Sequence, residues 1–332
     1  MGPVRDLIQL RPEGLYCPAG DFHIDPWLPV PRAVITHGHG DHARAGMGEY
    51  HCTPGTAPIL RWRLGEARIV EHAHGEVFDM NGTRASLHPA GHVLGSAQVR
   101  VEAGGEVWVA SGDYKRQGDP TCAPFEVVRC DVFITEATFA LPVYRWPDTR
   151  EVVTDIVQWR RTCEARGEAA VLFCYALGKA QRVLAELAGF DEPPPLLHGA
   201  IAAGVEVYRA AGVAMAATEL LSEQASRNDY AGRLVIAPPS AAGSAWMRRF
   251  RRAQQGFASG WMRIRGNRRR RNYDRGFVIS DHADWPDLLR TIEQTGARRV
   301  FATHGTTDAL VRTLCERGID ARTLRTSFGD EA

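Results

Sequence analysis

The stretch THGHGDHA (residues 36–43) places three histidines and one aspartate within six consecutive positions. It follows a short apolar run, which predicts a β-strand that ends where the histidines begin. On an extended chain His37 and His39, two positions apart, point to the same side and can bind one metal ion. Asp41 and His42 follow as the chain turns, which favours a second ion nearby. The spacing therefore predicts a two-metal centre at the end of a strand.

Three later segments supply further candidate ligands, each in a loop or at the end of an apolar strand. HPAGHVLGS contains His92, ASGDY contains Asp113, and RRVFATHG contains His304. Neutral imidazoles and carboxylates are ligands that zinc prefers. A carboxylate between two cations can bridge them, and we assign that role to Asp113. The first predicted ion is bound by His37, His39, His92 and Asp113, and the second by Asp41, His42, Asp113 and His304.

The composition is typical of a folded protein of a reducing compartment. The chain has 332 residues, of which 44% are hydrophobic, enough for one large domain or two ordinary ones. The sequence contains no run of eighteen or more apolar residues, so we predict no membrane-spanning helix. The N-terminal residues lack the pattern of a secretory signal. The seven cysteines show no C-x-x-C spacing, which is typical of buried thiols. We therefore predict a cytoplasmic protein without a membrane partner.

The pattern of predicted elements changes near Trp146. Before it, short strand-like segments alternate with polar loops; after it, helical segments such as TREVVTDIVQWRRTCEARG alternate with buried strands. Strand–loop–helix units return in the C-terminal part. We predict an α/β protein in three segments. Residues 1–145 form the first part of one domain, 146–272 form an inserted α/β domain, and 273–332 return to the first domain.

Positive charge is concentrated in one segment, although the formal net charge is only +1. No acidic residue occurs between Asp229 and Asp274, and the arginines there suit a polyanion. We predict a nucleic-acid contact at the run Arg268, Arg269, Arg270 and Arg271. Lys179 is a candidate for a phosphate contact, with an ordinary lysine at a helix start as the alternative. Aromatic residues that can stack on unpaired bases occur in the same segment: Trp246, Phe250, Phe257, Trp261 and Tyr273. The alternative is a solvated arginine face with aromatics in the core.

The H-x-H-x-D-H pattern of residues 37–42 resembles the signature of the metallo-β-lactamase superfamily, and His92 and Asp113 resemble its further motifs. The superfamily's first motif is an aspartate that braces the metal-binding loop. It matches Asp25 in HIDP, with Asp21 as the competing candidate. The resemblance implies an αββα sandwich fold.

Three segments also resemble motifs A, B and C of the β-CASP nucleases: TEATF with Glu136, SDHADW with His282 and ATHG with His304. Those enzymes insert a nucleic-acid-binding α/β domain into the lactamase-like fold, which accounts for the change near Trp146. ALGKAQ, APPS, SGWM and ISDHADW are most similar to the bacterial DNA-ligase-associated exonucleases. Histidine at motif C is typical of RNA-processing members, so RNA is the alternative substrate.

The resemblance and the two-metal pattern together predict a mechanism. Two ions about 3.5–4 Å apart suit phosphodiester cleavage, because they lower the pKa of a bridging water, whose hydroxide attacks phosphorus. His282, oriented by Glu136, then protonates the departing oxygen, since the carboxylate fixes the tautomer and stabilises the imidazolium. The predicted catalytic residues are His282, Glu136 and the metal ligand Asp41.

The leading hypothesis is a DNA exonuclease that acts beside a DNA ligase and a helicase in repair. Its cofactor is two divalent ions, zinc or else manganese. The alternatives are an RNA-processing nuclease of the same fold, a small-molecule metallo-hydrolase and a catalytically inactive binding protein. The inserted domain and the basic segment argue against the metallo-hydrolase, and the complete ligand set argues against the inactive protein.

Overall fold

The computed structural model describes residues 6–221, 230–264, 266 and 273–327. The chain divides into two compact units, a first unit of Met1–Val143 with His282–Ala332 and a second unit of Tyr144–Asp281. The return to the first unit thus comes at His282 rather than at the predicted residue 273. The reason is that the strand Arg275–Phe277 pairs in parallel with the strand Ala253–Ala258 and so extends the sheet of the second unit.

Strands are grouped before the helix Thr149–Ala165, and strands and helices are mixed after it. In chain order the strands are β1 (Gln9–Arg11), β2 (Gly14–Cys17), β3 (Phe22–Ile24), β4 (Arg32–Val34), β5 (Glu49–Cys52), β6 (Ile69–Glu71), β7 (Val77–Met80), β8 (Thr83–Pro89), β9 (Ala97–Ala103), β10 (Glu106–Ala110), β11 (Val132–Glu136), β12 (Ala169–Phe173), β13 (Leu196–Leu197), β14 (Glu219–Leu220), β15 (Leu234–Ala237), β16 (Ala253–Ala258), β17 (Arg275–Phe277), β18 (Arg299–Thr303) and β19 (Asp320–Thr323). The helices are α1 (Ala57–Leu64), α2 (Thr149–Ala165), α3 (Lys179–Leu187), α4 (Gly199–Ala210), α5 (Trp285–Thr295) and α6 (Asp308–Glu316). None of the helices in these ranges is both long and apolar enough to cross a membrane.

The first unit contains two sheets, ordered β1-β2-β3-β4-β5-β6 and β19-β18-β11-β10-β9-β8-β7. In the second of these, β9 is antiparallel to both β8 and β10, whereas β10, β11 and β18 are parallel to one another. Strands β8, β10, β11 and β18 therefore run in one direction, and their carboxyl ends lie along the same edge. Strand β11 is buried at every position, as expected for a central parallel strand.

The two sheets of the first unit share an apolar core with helices outside it. Val34 of one sheet and Trp108 of the other belong to a single buried cluster. Helix α1 covers the outer face of the first sheet through Leu60, and α5 and α6 cover the outer face of the second through Leu288 and Leu310. The predicted αββα sandwich is confirmed.

The second unit is built on a parallel sheet of order β14-β13-β15-β12-β16-β17. Helices α2, α3 and α4 pack on one face, and a cluster that includes Phe250 and Met262 covers the other. Asp148 caps the start of helix α2, and its carboxylate accepts hydrogen bonds from the N–H groups of Arg150 and Glu151. Such a cap satisfies donors that the first helical turn leaves open.

Candidate metal centre

The predicted ligands follow strand ends in the first unit. Strand β4 leads into residues 37–42, and β8, β10 and β18 lead into His92, Asp113 and His304. Since β8, β10 and β18 end at the same edge, a rigid sheet brings their loops together. The loop of His92 is held by Ser96, whose hydroxyl oxygen accepts from the N–H groups of His92 (3.0 Å) and Val93 (3.2 Å).

Asp25 holds the loop that carries the H-x-H-x-D-H pattern. Its carboxylate accepts from the N–H (2.8 Å) and the hydroxyl (2.6 Å) of Thr36 and lies 2.7 Å from His42 Nδ1. Asp25 is buried and has a φ of 43°, a left-handed conformation that aspartate adopts more readily than most residues. Asp21 instead pairs with Arg32 at the surface. These contacts favour Asp25 over Asp21 as the bracing aspartate.

The first predicted ligand set converges on one point. His39 Nδ1 lies 3.1 Å from both His37 Nε2 and His92 Nε2. Asp113 Oδ2 lies 3.5 Å from His37 Nε2 and 3.7 Å from His92 Nε2. Ligand atoms about 2.1 Å from a tetrahedral ion are about 3.4 Å from one another. The spacing of these four atoms therefore fits a zinc ion.

The second predicted set lies beside the first and is linked to it through Asp113. His42 Nε2 lies 3.5 Å from Asp113 Oδ2 and 3.7 Å from Asp41 Oδ2. His304 Nε2 lies 3.8 Å from Asp41 Oδ2. Asp113 Oδ2 thus faces both sets, and its Oδ1 is buried without a hydrogen-bond partner among the described residues. A carboxylate in this position fits the bridging role assigned from the sequence.

Burial and neighbouring charges set the protonation of these groups. Burial lowers the pKa of His37 well below its usual value, and the adjacent imidazoles lower it further, so His37 has the neutral form that binds metals. Burial alone would raise the pKa of Asp113, but neighbouring histidines, His42 foremost, lower it to about 2. Burial opposes ionisation of Asp41 too, but the hydrogen bond from His304 helps to lower its pKa below the usual range. Both carboxylates are therefore anionic at neutral pH.

His282 and Glu136 form a buried pair next to the ligands. His282 Nδ1 lies 2.8 Å from Glu136 Oε2, and each side chain is only 1% exposed. The other carboxylate oxygen accepts from the N–H of Tyr114 at 2.7 Å. The His282 ring lies 4.8 Å from the His92 ring, and Asp113, Glu136 and His282 each offer an atom within 4.8 Å of the others. The pair is placed to hold a proton beside the predicted ions.

The predicted nucleic-acid contacts are placed differently. Lys179 is fully buried, its Nζ lying 3.2 Å from Asp281 Oδ2 and 4.5 Å from the ring centroid of Tyr175. Its position does not support a phosphate contact, because the ammonium group faces a carboxylate inside the second unit. Phe250 and Phe257 are core residues and are not available to stack on bases. The run Arg268, Arg269, Arg270 and Arg271 lies outside the described residues.

The structure also identifies supporting residues that the sequence motifs did not. Thr36 directly precedes His37, and its N–H donates to Asp25. Tyr114 directly follows Asp113, and its N–H donates to Glu136. Their signal is adjacency, because ligand side chains are usually oriented by hydrogen bonds from nearby groups. Arg63 on α1 contacts the same loop from a distant part of the sequence, and no pattern pointed to it.

Comparison with known proteins gives several relatives. No protein-family model matches the chain. A "Probable DNA ligase" of Opitutus terrae is 34% identical over 313 residues, which are 93% of this chain and 30% of that protein. "Cleavage and polyadenylation specificity factor 73" of Drosophila melanogaster is 32% identical over 203 residues, 49% of this chain and 29% of that protein. "Endoribonuclease ysh1" of Aspergillus fumigatus is 29% identical over 204 residues, 50% of this chain and 23% of that protein.

The chain therefore spans about a third or less of these relatives. A solved structure of a protein of unknown function from Enterococcus faecalis V583 resembles this chain with a TM-score of 0.60 and 12% sequence identity. The likeness covers 90% of this chain and 79% of that one. It supports the fold and carries no information about activity.

Proposed function

Because the chain belongs to the β-CASP group of the metallo-β-lactamase superfamily, we propose that it is a metal-dependent nuclease. More specifically, we propose a DNA exonuclease that hydrolyses phosphodiester bonds in ligase-dependent repair. One observation carries this proposal: the set His37, His39, His92 and Asp113 lies beside the set Asp41, His42 and His304, with Asp113 Oδ2 3.5 Å from His42 Nε2, and next to the buried His282–Glu136 pair. Small-molecule hydrolysis does not require the second unit or a basic segment.

The residues present fit two divalent ions, and zinc is the first choice because imidazole nitrogens dominate the donor set. We propose His37, His39, His92 and Asp113 for one ion and Asp41, His42, Asp113 and His304 for the other. When bound, such ions polarise phosphate oxygens and make water more acidic. Asp25 and Thr36 hold the loop in place, so that the ligands are already aligned before an ion binds.

The remaining chemistry belongs to His282 and Glu136. Glu136 accepts from Tyr114 N–H and faces His282 Nδ1, so a proton on Nδ1 is held by the carboxylate. In our proposal the opposite nitrogen, Nε2, delivers a proton to the departing oxygen of the cleaved phosphodiester. The carboxylate stabilises the imidazolium before that transfer, as expected for general acid catalysis. In this proposal Asp41 contributes to catalysis as a metal ligand, through its contacts with His42 and His304.

RNA is the second candidate substrate. His304 at motif C and the similarity to two RNA-processing proteins favour it. The "Probable DNA ligase" contains a segment similar to almost all of this chain, whereas the RNA-processing proteins match about half of it. The longer match supports DNA as the substrate, whereas association with a ligase stays a prediction.

The test uses labelled single- and double-stranded DNA and RNA, with each end blocked in turn and zinc or manganese supplied. We expect stepwise release of mononucleotides from an unblocked DNA end, loss of activity with a chelator, and recovery when metal is added. Preferential cleavage of RNA would transfer the proposal to the second candidate. Absence of cleavage in metal-loaded protein on every substrate would contradict both.

The basic segment is the proposed site of phosphate contact. Alanine at Arg268, Arg269, Arg270 and Arg271 should weaken DNA binding uniformly across sequences and reduce its salt dependence, because each phosphate contact releases counterions. The matched control is alanine at Arg312 and Arg322, which pair with Glu316 and Asp320 at the surface of the first unit. Equal binding by both variants would exclude the run as the contact.

A further inference from the structure

Helix α1 packs directly against the ligand loop, defined here as residues 36–43. A Cβ added to Gly38 would lie 2.4 Å from Ile59 Cγ2, and one added to Gly40 would lie 3.1 Å from Arg63 Nη2. Ile59 and Arg63 are four positions apart and so share one face of the helix. Neither glycine has a positive φ. The close approach of the helix, rather than backbone conformation, is therefore what favours glycine between the ligand-bearing positions.

Arg63 joins the two ends of the ligand loop. Its Nη1 donates to the carbonyl oxygens of Gly38 (2.9 Å) and Ala43 (3.2 Å). Gly38 lies between two predicted ligands of the first ion, and Ala43 directly follows a predicted ligand of the second. One planar and permanently charged group thus connects the two halves of the loop.

The surroundings of Arg63 fit a supporting role. Burial of the guanidinium lowers the pKa of Arg63, and the nearby Asp41 carboxylate raises it. The charged end of the side chain is therefore close to Asp41, an anionic predicted metal ligand. The residue as a whole is exposed to solvent, and the core of the first unit does not depend on it. Hydrogen bonds from a charged donor are about twice as strong as neutral ones, which suits the restraint of a loop outside any strand ladder.

We infer that Arg63 is a positioning residue of the metal centre. It fixes the separation of the two halves of the ligand loop and so holds the ligands ready for divalent ions. The inference rests on the proposed function only in taking this loop as metal-binding. Substitution of a residue that orients a metal ligand typically lowers metal affinity by about 10–100-fold.

The experiment measures zinc affinity of the full chain by competition with a chromophoric chelator. We expect R63Q to lower zinc affinity about 10-fold, and R63K to lower it less, because lysine keeps the charge but lacks the planar fork. The matched control is R61Q. Arg61 lies on the same helix and pairs with Glu71 at the surface, 2.6 Å away, so zinc affinity should be unchanged. Thermal unfolding in excess chelator reports whether each variant folds.

Wild-type zinc affinity in R63Q would overturn the inference, and so would an equal loss in R61Q, which would indicate a general effect of α1. If R63Q does not fold, R63K against R61K carries the test, with a loss expected only in R63K. An increase in KM with unchanged zinc affinity would show a substrate contact instead and would also overturn it. Because zinc binding needs no nucleic acid, a chain that cleaves nothing but shows the Arg63 dependence would contradict the proposed function alone.

Discussion

Two buried aspartates, one in each unit, follow the carboxyl ends of strands and have opposite surroundings. Asp113 comes after β10 and faces imidazoles of both ligand sets. Asp281 comes after β17 and lies 3.2 Å from Lys179 Nζ and 3.9 Å from Arg182 Nη1. In the described part of the chain, Asp113 makes no ion pair with lysine or arginine. The protein thus supplies the cations that compensate Asp281, whereas the surroundings of Asp113 suit cations from outside.

This difference separates a structural charge cluster from a metal centre. Arg182 also donates to the carbonyl oxygen of Ser280 (2.9 Å) and to the hydroxyl of Thr149 (2.5 Å), so the cluster around Asp281 connects three parts of the second unit. Buried charges are tolerated when they are paired and hydrogen-bonded. A buried carboxylate surrounded by imidazoles, such as Asp113, is compensated only while an imidazole, His42 foremost, carries a proton or while a metal ion is bound.

The largest expected effect comes from Asp113→Asn. This nearly isosteric change removes the bridging carboxylate, so the variant should lose bound zinc and detectable nuclease activity together. The matched control, Asp281→Asn, should keep its zinc because its carboxylate faces protein cations. Elemental analysis and the DNA cleavage assay measure both outcomes. Equal zinc loss in the two variants would remove the distinction between the two aspartates.

His282→Ala tests whether proton donation and zinc binding depend on different residues of the first unit. We expect turnover to fall by about 10²–10⁴-fold, the usual contribution of a general acid, while zinc content stays that of the wild type. His88→Ala is the control, since His88 bonds Ser86 and Glu126 and belongs to neither ligand set. If His282→Ala loses zinc, His282 is a ligand rather than a proton donor.

Lys179→Met tests the paired cluster of the second unit. Removing one partner of a buried ion pair typically costs about 3–5 kcal/mol, so the free energy of unfolding in urea should fall by that amount, measured in excess chelator. The free energy of unfolding should fall less in Lys179→Arg, because the positive charge remains. Zinc content should not change in either variant. Undiminished stability in Lys179→Met would contradict the structural role of the pair.

The smallest expected effect concerns the contact between α1 and the ligand loop. Gly38→Ala should destabilise the chain by about 1–3 kcal/mol, the usual range for overpacking, because its Cβ meets Ile59 Cγ2. We expect Gly38→Ala to lower zinc affinity as well. The double variant, which adds Ile59→Ala, should recover that affinity, although it loses the apolar packing of Ile59. A double-mutant cycle on zinc affinity measures this coupling. Additive effects would show that the two residues do not meet.

The sequence predicted which histidine and aspartate side chains lie together, because their signal is local. His37, His39, Asp41 and His42 are constrained by spacing along one short loop, and His92, Asp113 and His304 each follow an apolar strand. The αββα sandwich came from the resemblance, and the two-sheet core confirms it.

The errors came from properties that spacing does not encode. Lys179 was predicted to contact phosphate, but whether a lysine at a helix start is exposed depends on tertiary packing, and here it is buried against Asp281. The boundary at 273 was misplaced because strand β17 adds to the sheet of the second unit. Arg63 was missed because its contacts with the loop cross a gap in sequence that no motif spans.

Elemental analysis of the purified chain, after loading with zinc and removal of excess ion, tests the central claim most directly. We predict about two zinc ions per chain, as expected for a two-metal site, falling to about one when His37 and His39 are both alanine. Less than one ion in the wild type, or an unchanged content in the double variant, would contradict the assignment of a two-metal centre to this loop.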